Sequence, residues 1–303
     1  MNDIYVVVLN WNGRDNTIDC LYSLKKQKNV KINIVIVDNG SSDNSVETIL
    51  KIFSDIIIIQ NNENLGYAGG MNKGIKYAIS KNSKYVLILN NDIIADENLI
   101  WHLLSNTKNN VYVTSPVIYY SNKPHEIWSV GGRINPLLLE MTKPHGDVVR
   151  LPNEPVFKEF LSGCALFIDC FVFEKIGYFD ERFFPGYYED LDFCLRAKKN
   201  NLKMQVIPEA RIWHKVSQSS GGKESPNIYF LMARNSGYYF KKHMKLWNAL
   251  FIILFRLGSA IKKSTLLLTN KKFNCFIAYW RGLINGWIGL LKQYEEVYLK
   301  FYK

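Results

Sequence analysis

Three clusters of oxygen-bearing side chains carry the chemistry legible in this 303-residue sequence. The first is Asp38, an acid closing an apolar run, with Asn39-Gly40-Ser41-Ser42-Asp43 behind it. A carboxylate so placed can accept hydrogen bonds from a base or a ribose, while Ser42 and Asp43 read as helix caps. The second is Asn90-Asn91-Asp92, again at the end of an apolar run. One carboxylate flanked by amides suits a hard divalent cation such as Mg2+ or Mn2+, and a plain turn over 90–95 accounts for the same residues equally well. The third is Glu189, Asp190 and Asp192, three carboxylates within four positions. Acids at a helix start are stabilised by the helix dipole, which is the structural reading. The aromatic residues before them, Phe183, Phe184, Tyr187 and Tyr188, form an apolar wall. Desolvation there raises a carboxylate's pKa toward values useful to a general base. His214, taken by itself, reads as a packed histidine, with metal ligation as the other reading.

These clusters need a frame that brings strand ends together. Apolar and β-branched runs predict strands over 4–10, 32–38, 56–60 and 85–90, alternating with helices over 17–27, 46–53 and 68–79. Such alternation gives a mainly parallel sheet covered by helices, whose ligand site lies beyond the carboxyl ends of the strands. Between 111 and 170, glycines and prolines punctuate short apolar runs that read as strands and loops extending the sheet. Order returns at 172–176, then in a helix from 189 to 199, a strand over 203–207 and a short segment over 211–214. The glycines of 64–74 permit close backbone approach to a nucleotide at a helix mouth. The G-x-G-x-x-G pattern is absent and the loop does not follow the first strand, which disfavours a dinucleotide enzyme.

Composition separates the two ends of the chain. With 48% hydrophobic and 21% charged residues it is an ordinary globular sequence, read as one large domain, 1–245, and an appendage, 246–303. Residues 1–240 are nearly neutral, whereas 241–303 hold 12 of the 38 basic residues and only Glu295 and Glu296 in opposition. A basic, aromatic end argues against a nucleic-acid binder and for an anionic membrane surface. Helices predicted over 229–243, 246–257 and 276–291 carry Trp247, Trp280 and Trp287 among Lys and Arg, and their apolar runs are too short to span a bilayer. They read as lying on a membrane, or as packing on the body or on a second subunit in a homodimer. The five cysteines are scattered without a CxxC pair, so neither a zinc site nor a disulfide framework is indicated. With no basic leader before the short apolar run 4–9, the expected location is cytoplasmic.

The ordered set VVVLNWNG (6–13), VDNGSSD (37–43), NLGYAGGMNKGI (64–75), LILNND (87–92), FDERFFPGYYEDLDFCLRAKKNN (179–201) and WHK (213–215) resembles family 2 glycosyltransferases, the inverting GT-A enzymes, and especially their bacterial rhamnosyltransferase-like branch. The resemblance implies a Rossmann-like α/β fold of GT-A type with a C-terminal helical extension. It implies a nucleotide-diphospho-sugar donor lined by Asn10, Trp11, Asn12, Asp38, Gly69, Gly70, Asn72, Asn90, Asn91 and Asp92. Asp92 stands at the family's metal-binding position, where the motif here reads Asn90-Asn91-Asp92, and His214 matches the late histidine that completes the site around Mg2+ or Mn2+. Asp190 matches the catalytic base, with Glu189 and Asp192 as supporting acids. Tyr187, Tyr188 and Trp128 are expected to meet the acceptor.

By the same resemblance, the enzyme moves a sugar, first of all from dTDP-rhamnose, to a glycan or lipid-linked acceptor in cell-surface polysaccharide synthesis, peripherally at the inner face of the membrane. A UDP- or GDP-sugar donor, or a catalytically weak nucleotide-sugar-binding partner of another transferase, is the alternative. Asp169 stands where many relatives carry a basic residue, and an acid there is expected to alter donor-phosphate or acceptor contacts.

Overall fold

Strands covered on both faces of a parallel sheet read as unbroken apolar runs. Ile4–Asn10 (β1), Ile32–Asp38 (β2) and Tyr85–Asn90 (β4) are such runs, and with the edge strand Ile57–Gln60 (β3) they pair in parallel in the order β4-β1-β2-β3. The computed structural model describes residues 3–108, 110–142, 151, 153–215 and 225–289. Helices Arg14–Leu24 (α1), Ser45–Ile52 (α2) and Gly66–Ser80 (α3) make the crossovers, and α3 lies close on the sheet because a Cβ at Gly70 would collide with Leu9 and Asn39.

The sheet continues through Ile93–Ala95 (β5), Val111–Tyr120 (β6), Lys123–Ser129 (β7), Val156–Lys158 (β10), Ala165–Asp169 (β11) and Lys203–His214 (β12). Its ten strands run in the order β10-β12-β6-β11-β4-β1-β2-β3, with β5 on β12 and β7 on β6, and the two-residue strands Arg133–Ile134 (β8) and Met141–Thr142 (β9) pair separately. Leu99–Ser105 (α4), Phe171–Ile176 (α5) and Glu189–Lys199 (α6) complete the cover. The core packs Val6, Val8, Leu87, Leu89 and Phe167 with Leu21, Leu24 and Ile49 from the helices.

Register fixes what meets at the sheet's edge. Asn10 aligns with Asp38, and Leu9 with Asn90, so the polar ends of β1, β2 and β4 emerge side by side. β11 runs antiparallel with Ala165 opposite Leu89, which returns the turn before it to the same edge, where the Asn90 N–H donates to the Cys164 carbonyl at 3.0 Å.

The chain divides into two compact units, Met1–Arg133 with Lys143–Phe184 and Glu189–Val216, and Ile134–Thr142 with Pro185–Tyr188 and Ser217–Lys303. The second holds helices Pro226–His243 (α7), Leu246–Thr269 (α8) and Phe273–Ile288 (α9).

Several local expectations are corrected. α1 opens three residues before Thr17. Neither Ser42 nor Asp43 is the N-cap of α2. That place is taken by Asn44 in the left-handed region (φ 58°), while Asp43 accepts from the Ser45 N–H at 3.1 Å. The segments 203–207 and 211–214 are one strand with an irregularity between Ile207 and Arg211, since both halves stay paired with β6. α8 runs twelve residues past Leu257, because nothing in Gly258-Ser259-Ala260 breaks it. Residues 290 and 291, expected in the last helix, lie outside the described residues.

Candidate active site

At the mouth of β1 and β2 the polar side chains mostly hold one another. Asn10 donates to Asp38 Oδ1 at 2.7 Å and to Ser41 Oγ at 3.1 Å, while Asp38 also accepts the Ser41 N–H at 2.9 Å and its hydroxyl at 2.6 Å. Asn10 Oδ1 accepts from the Thr17 hydroxyl at 2.7 Å and from the Asn91 amide at 3.2 Å. Asn10 and Asp38 are buried. Asn12 accepts from the Ser42 N–H at 2.8 Å and sits at φ 49°, with Trp11 half-buried beside it. Asn72 donates to the Phe179 carbonyl and to Glu181, both at 2.9 Å, and accepts from the Phe179 N–H at 3.1 Å. Gly69 and Gly70 are buried in the first turns of α3. These residues shape the mouth and hold its loops.

A second group gathers where β4 and β12 end. Pairing of β12 with β5 sets His214 opposite Ile93, and His214 Nε2 lies 3.1 Å from Asp92 Oδ1. Cys164 Sγ is 3.9 Å from the other ring nitrogen and accepts from Asn90 at 3.7 Å, while the Trp128 ring meets His214 edge-on with centroids 5.0 Å apart. Burial, the largest single influence, opposes a proton on His214. Cys164 and Asp92 together outweigh it and lift its pKa to about 10.

Asp92 Oδ1 is buried and, despite its nearness to His214, has no aligned hydrogen-bond partner among the described residues. A carboxylate oxygen and an imidazole nitrogen facing one another fit a divalent cation, which would stand in place of the proton. No group of three or more His, Cys, Asp or Glu side chains is placed to hold a metal among the described residues, so a cation here would draw its other ligands from substrate phosphates and water.

The third group opens α6. Asp190 accepts from the Gly163 N–H at 3.1 Å and from the Leu191 N–H at 2.8 Å. Burial raises its pKa, and these amides moderate the rise. Glu189 is lifted well above the ordinary carboxylate range, first by burial and then by Asp190, and its Oε2 has no hydrogen-bond partner among the described residues. Asp192 is fully buried and pairs with Arg196 at 2.8 Å, whose guanidinium donates to the Tyr178 carbonyl at 2.8 Å, so this acid anchors a turn. Gly163 lies between Asp190 and Tyr67, whose hydroxyl donates to the Gly163 carbonyl at 2.5 Å.

The base candidate and the Asp92–His214 pair are therefore held by adjacent residues, Gly163 and Cys164, whose Cα atoms are about 3.8 Å apart. Gly163 and Cys164 carry no assigned role in the sequence, because contacts made from a turn before a strand leave no periodic signal, and Tyr67 carries none because its partner is remote along the chain. Tyr187 and Tyr188 belong to the second unit, Tyr187 against Phe230 and Leu231 and Tyr188 against Tyr239. Both sit at φ 76°, a strained region for bulky residues. The expectation for Asp169 is overturned. It pairs opposite Tyr85, at the far end of β4 from Asp92, and accepts from the Phe171 N–H at 2.9 Å.

A family model described as "Glycosyl transferase family 2" matches residues 5–176. The chain belongs to that family. The matched part ends before Asp190 and His214. Among curated proteins the chain is similar to the low-salt glycan biosynthesis hexosyltransferase Agl10 of Haloferax volcanii, 30% identical over 216 residues, covering 67% of this chain and 64% of that protein. It is also similar to poly-beta-1,6-N-acetyl-D-glucosamine synthase of Staphylococcus aureus, 26% identical over 214 residues, 70% of this chain and 50% of that one. The chain thus matches about half to two thirds of the length of these relatives. Among solved structures, GalNAc-T7 with UDP, GalNAc and Mn2+ superposes with TM-score 0.63 at 17% identity, over 79% of this chain and 48% of that one. The mannosyltransferase PcManGT of Pyrobaculum calidifontis, in complex with GDP-Man and Mn2+, does so with TM-score 0.59 at 12% identity, over 95% and 87%. These likenesses are of fold, and the fold of this family member is GT-A: a mixed, mostly parallel sheet flanked by helices, with a C-terminal helical region.

Proposed function

We propose that this family 2 protein is an inverting hexosyltransferase that moves a sugar from a nucleotide-diphosphate donor to a hydroxyl of a glycan or lipid-linked acceptor. Asp190 takes the proton from the acceptor hydroxyl while that oxygen attacks the anomeric carbon from the side opposite the diphosphate. The new glycosidic bond forms as the bond to the diphosphate oxygen breaks, and the nucleoside diphosphate leaves. Asp38 faces the base or ribose, and Trp128 meets the acceptor. Asp92 and His214 are the residues that would hold a divalent cation, Mg2+ or Mn2+, which when bound offsets the negative charge gathering on the leaving diphosphate.

The observation that carries this reading is the tethering of Asp190 and of the Asp92–His214 pair to neighbouring residues of one turn. A base and a leaving-group site must lie about one sugar apart, and anchoring both to one short segment holds that spacing. dTDP-rhamnose is the first donor to test, and a lipid-linked acceptor would bring the enzyme to the inner face of a membrane. The deciding experiment screens dTDP-, UDP- and GDP-sugars for thermal stabilisation with and without Mn2+, followed by product analysis with the donor that binds. Stabilisation by one nucleotide class with transfer to an acceptor is the expected result. No stabilisation by any of them would overturn the reading.

A further inference from the structure

We infer that α8 is a lipid-facing helix lying in the surface of an anionic bilayer, with Leu246, Leu250, Leu254, Leu257 and Ile261 among the acyl chains and Lys245 and Lys262 at the headgroups. The helix buries one narrow edge, Asn248, Ile252, Ala260 and Leu267. The opposite stripe repeats at helical spacing and is open: Leu246 is 99% exposed, Leu250 64% and Ile261 65%. From 246 to 261 the helix carries one charge, Arg256, and it belongs to the buried edge. There it pairs with Glu140 at 2.8 Å and donates to Ser236 at 2.9 Å. The outward face is thus free of charge over about 24 Å of helix, while Lys245, Lys262 and Lys271 at its ends are exposed.

The packing of this unit points the same way. α7 and α9 meet through small residues: a Cβ on Gly282 would strike the Phe230 carbonyl, and one on Gly286 the Arg234 carbonyl. Gly282 and Gly286 are four residues apart, the spacing by which helices approach closely where apolar surroundings give large side chains no reason to gather between them. α9 meanwhile turns Phe273, Ile277, Trp280, Ile284 and Ile288 outward as one stripe. Large apolar groups thus stand outside on α8 and α9 although glycines already bring α7 and α9 into close contact.

Charge selects the occupant. Between residues 226 and 289 there is no Asp or Glu, so a second copy would set like charges against each other, whereas an anionic bilayer complements them. No described helix is long and apolar enough to cross a membrane, which leaves the helix in the plane of the surface.

This inference deepens the proposed function by naming the lipid and the element that meets it. Its test uses no donor, so its failure is separable from failure of the transfer reading. Flotation compares the full chain on vesicles of phosphatidylcholine alone and of phosphatidylcholine mixed with phosphatidylglycerol. The expected result is flotation with the mixed vesicles, weaker with phosphatidylcholine alone. Leu250→Glu with Leu254→Glu should lower the partition about tenfold or more, with circular dichroism and the melting temperature unchanged. The inference is overturned if the wild type does not float with phosphatidylglycerol, or if the double variant floats as well as the wild type. It is equally overturned if light scattering finds a non-floating dimer that the double variant converts to monomer, since a second copy then covers the face.

Discussion

The Asp190 carboxylate accepts a 3.1 Å hydrogen bond from the backbone N–H of Gly163. A backbone donor cannot rotate away, so the amide fixes one carboxylate oxygen and thereby the direction of the other. The next residue, Cys164, keeps its sulfur 3.9 Å from His214. A shift of this turn moves both ends of the proposed reaction together.

Asp190→Asn retains an oxygen to accept from Gly163 but loses the proton acceptor. Transfer should fall about 10^2- to 10^4-fold in kcat, with the thermal shift given by the donor preserved. Steady-state kinetics beside a donor titration measure the two separately.

The same residue sets a pH dependence. Burial raises the Asp190 pKa, and only the ionised form accepts a proton. The rate constant kcat/KM should therefore be full on the alkaline side and fall as pH drops through a value above the ordinary aspartate range. A pH–rate profile with the acid limb at or below that range would contradict the assignment.

Glu189 makes stability itself depend on pH. Its folded-state pKa lies above the unfolded one, so the native state binds the extra proton, and stability is greatest below the unfolded value and declines as pH rises through the folded one. Glu189→Gln removes the ionisable group. Its melting temperature at neutral pH should exceed that of the wild type, and the decline between acid and neutral pH should flatten.

Asp92→Asn and His214→Ala each remove half of the paired donor set. Mn2+-dependent stabilisation by the nucleotide-sugar should be lost in both, whereas the melting temperature without metal or donor should change little for Asp92→Asn. Thermal shift with and without Mn2+ reads the difference.

Gly286→Ala tests the close contact of α7 and α9. The added methyl meets the Arg234 carbonyl, a backbone atom that cannot swing aside, so the helices must part. A loss of about 1–3 kcal/mol in unfolding free energy is expected by denaturant titration.

Much of this molecule was legible locally. The strands Ile4–Asn10, Ile32–Asp38 and Tyr85–Asn90 follow from unbroken apolar runs, and the polar residues closing them from the rule that ligand sites lie at strand ends. The helix beginning at Glu189 was marked by three acids at its first turn. Those features depend on neighbours within a few residues, so the order of residue types suffices to determine them.

What required the folded chain was direction. Whether Asn10 and Asn72 offer their amides to a ligand or to the protein depends on Ser41 and Phe179, which are remote in sequence. That Asp169 lies at the far edge of the sheet follows from β11 running antiparallel, a pairing its own residues do not specify. That Arg256 turns inward, leaving residues 246–261 of its helix without an outward charge, depends on Glu140 waiting there. Each is settled by which distant group occupies the facing position, because burial and hydrogen bonding are satisfied across space and not along the chain.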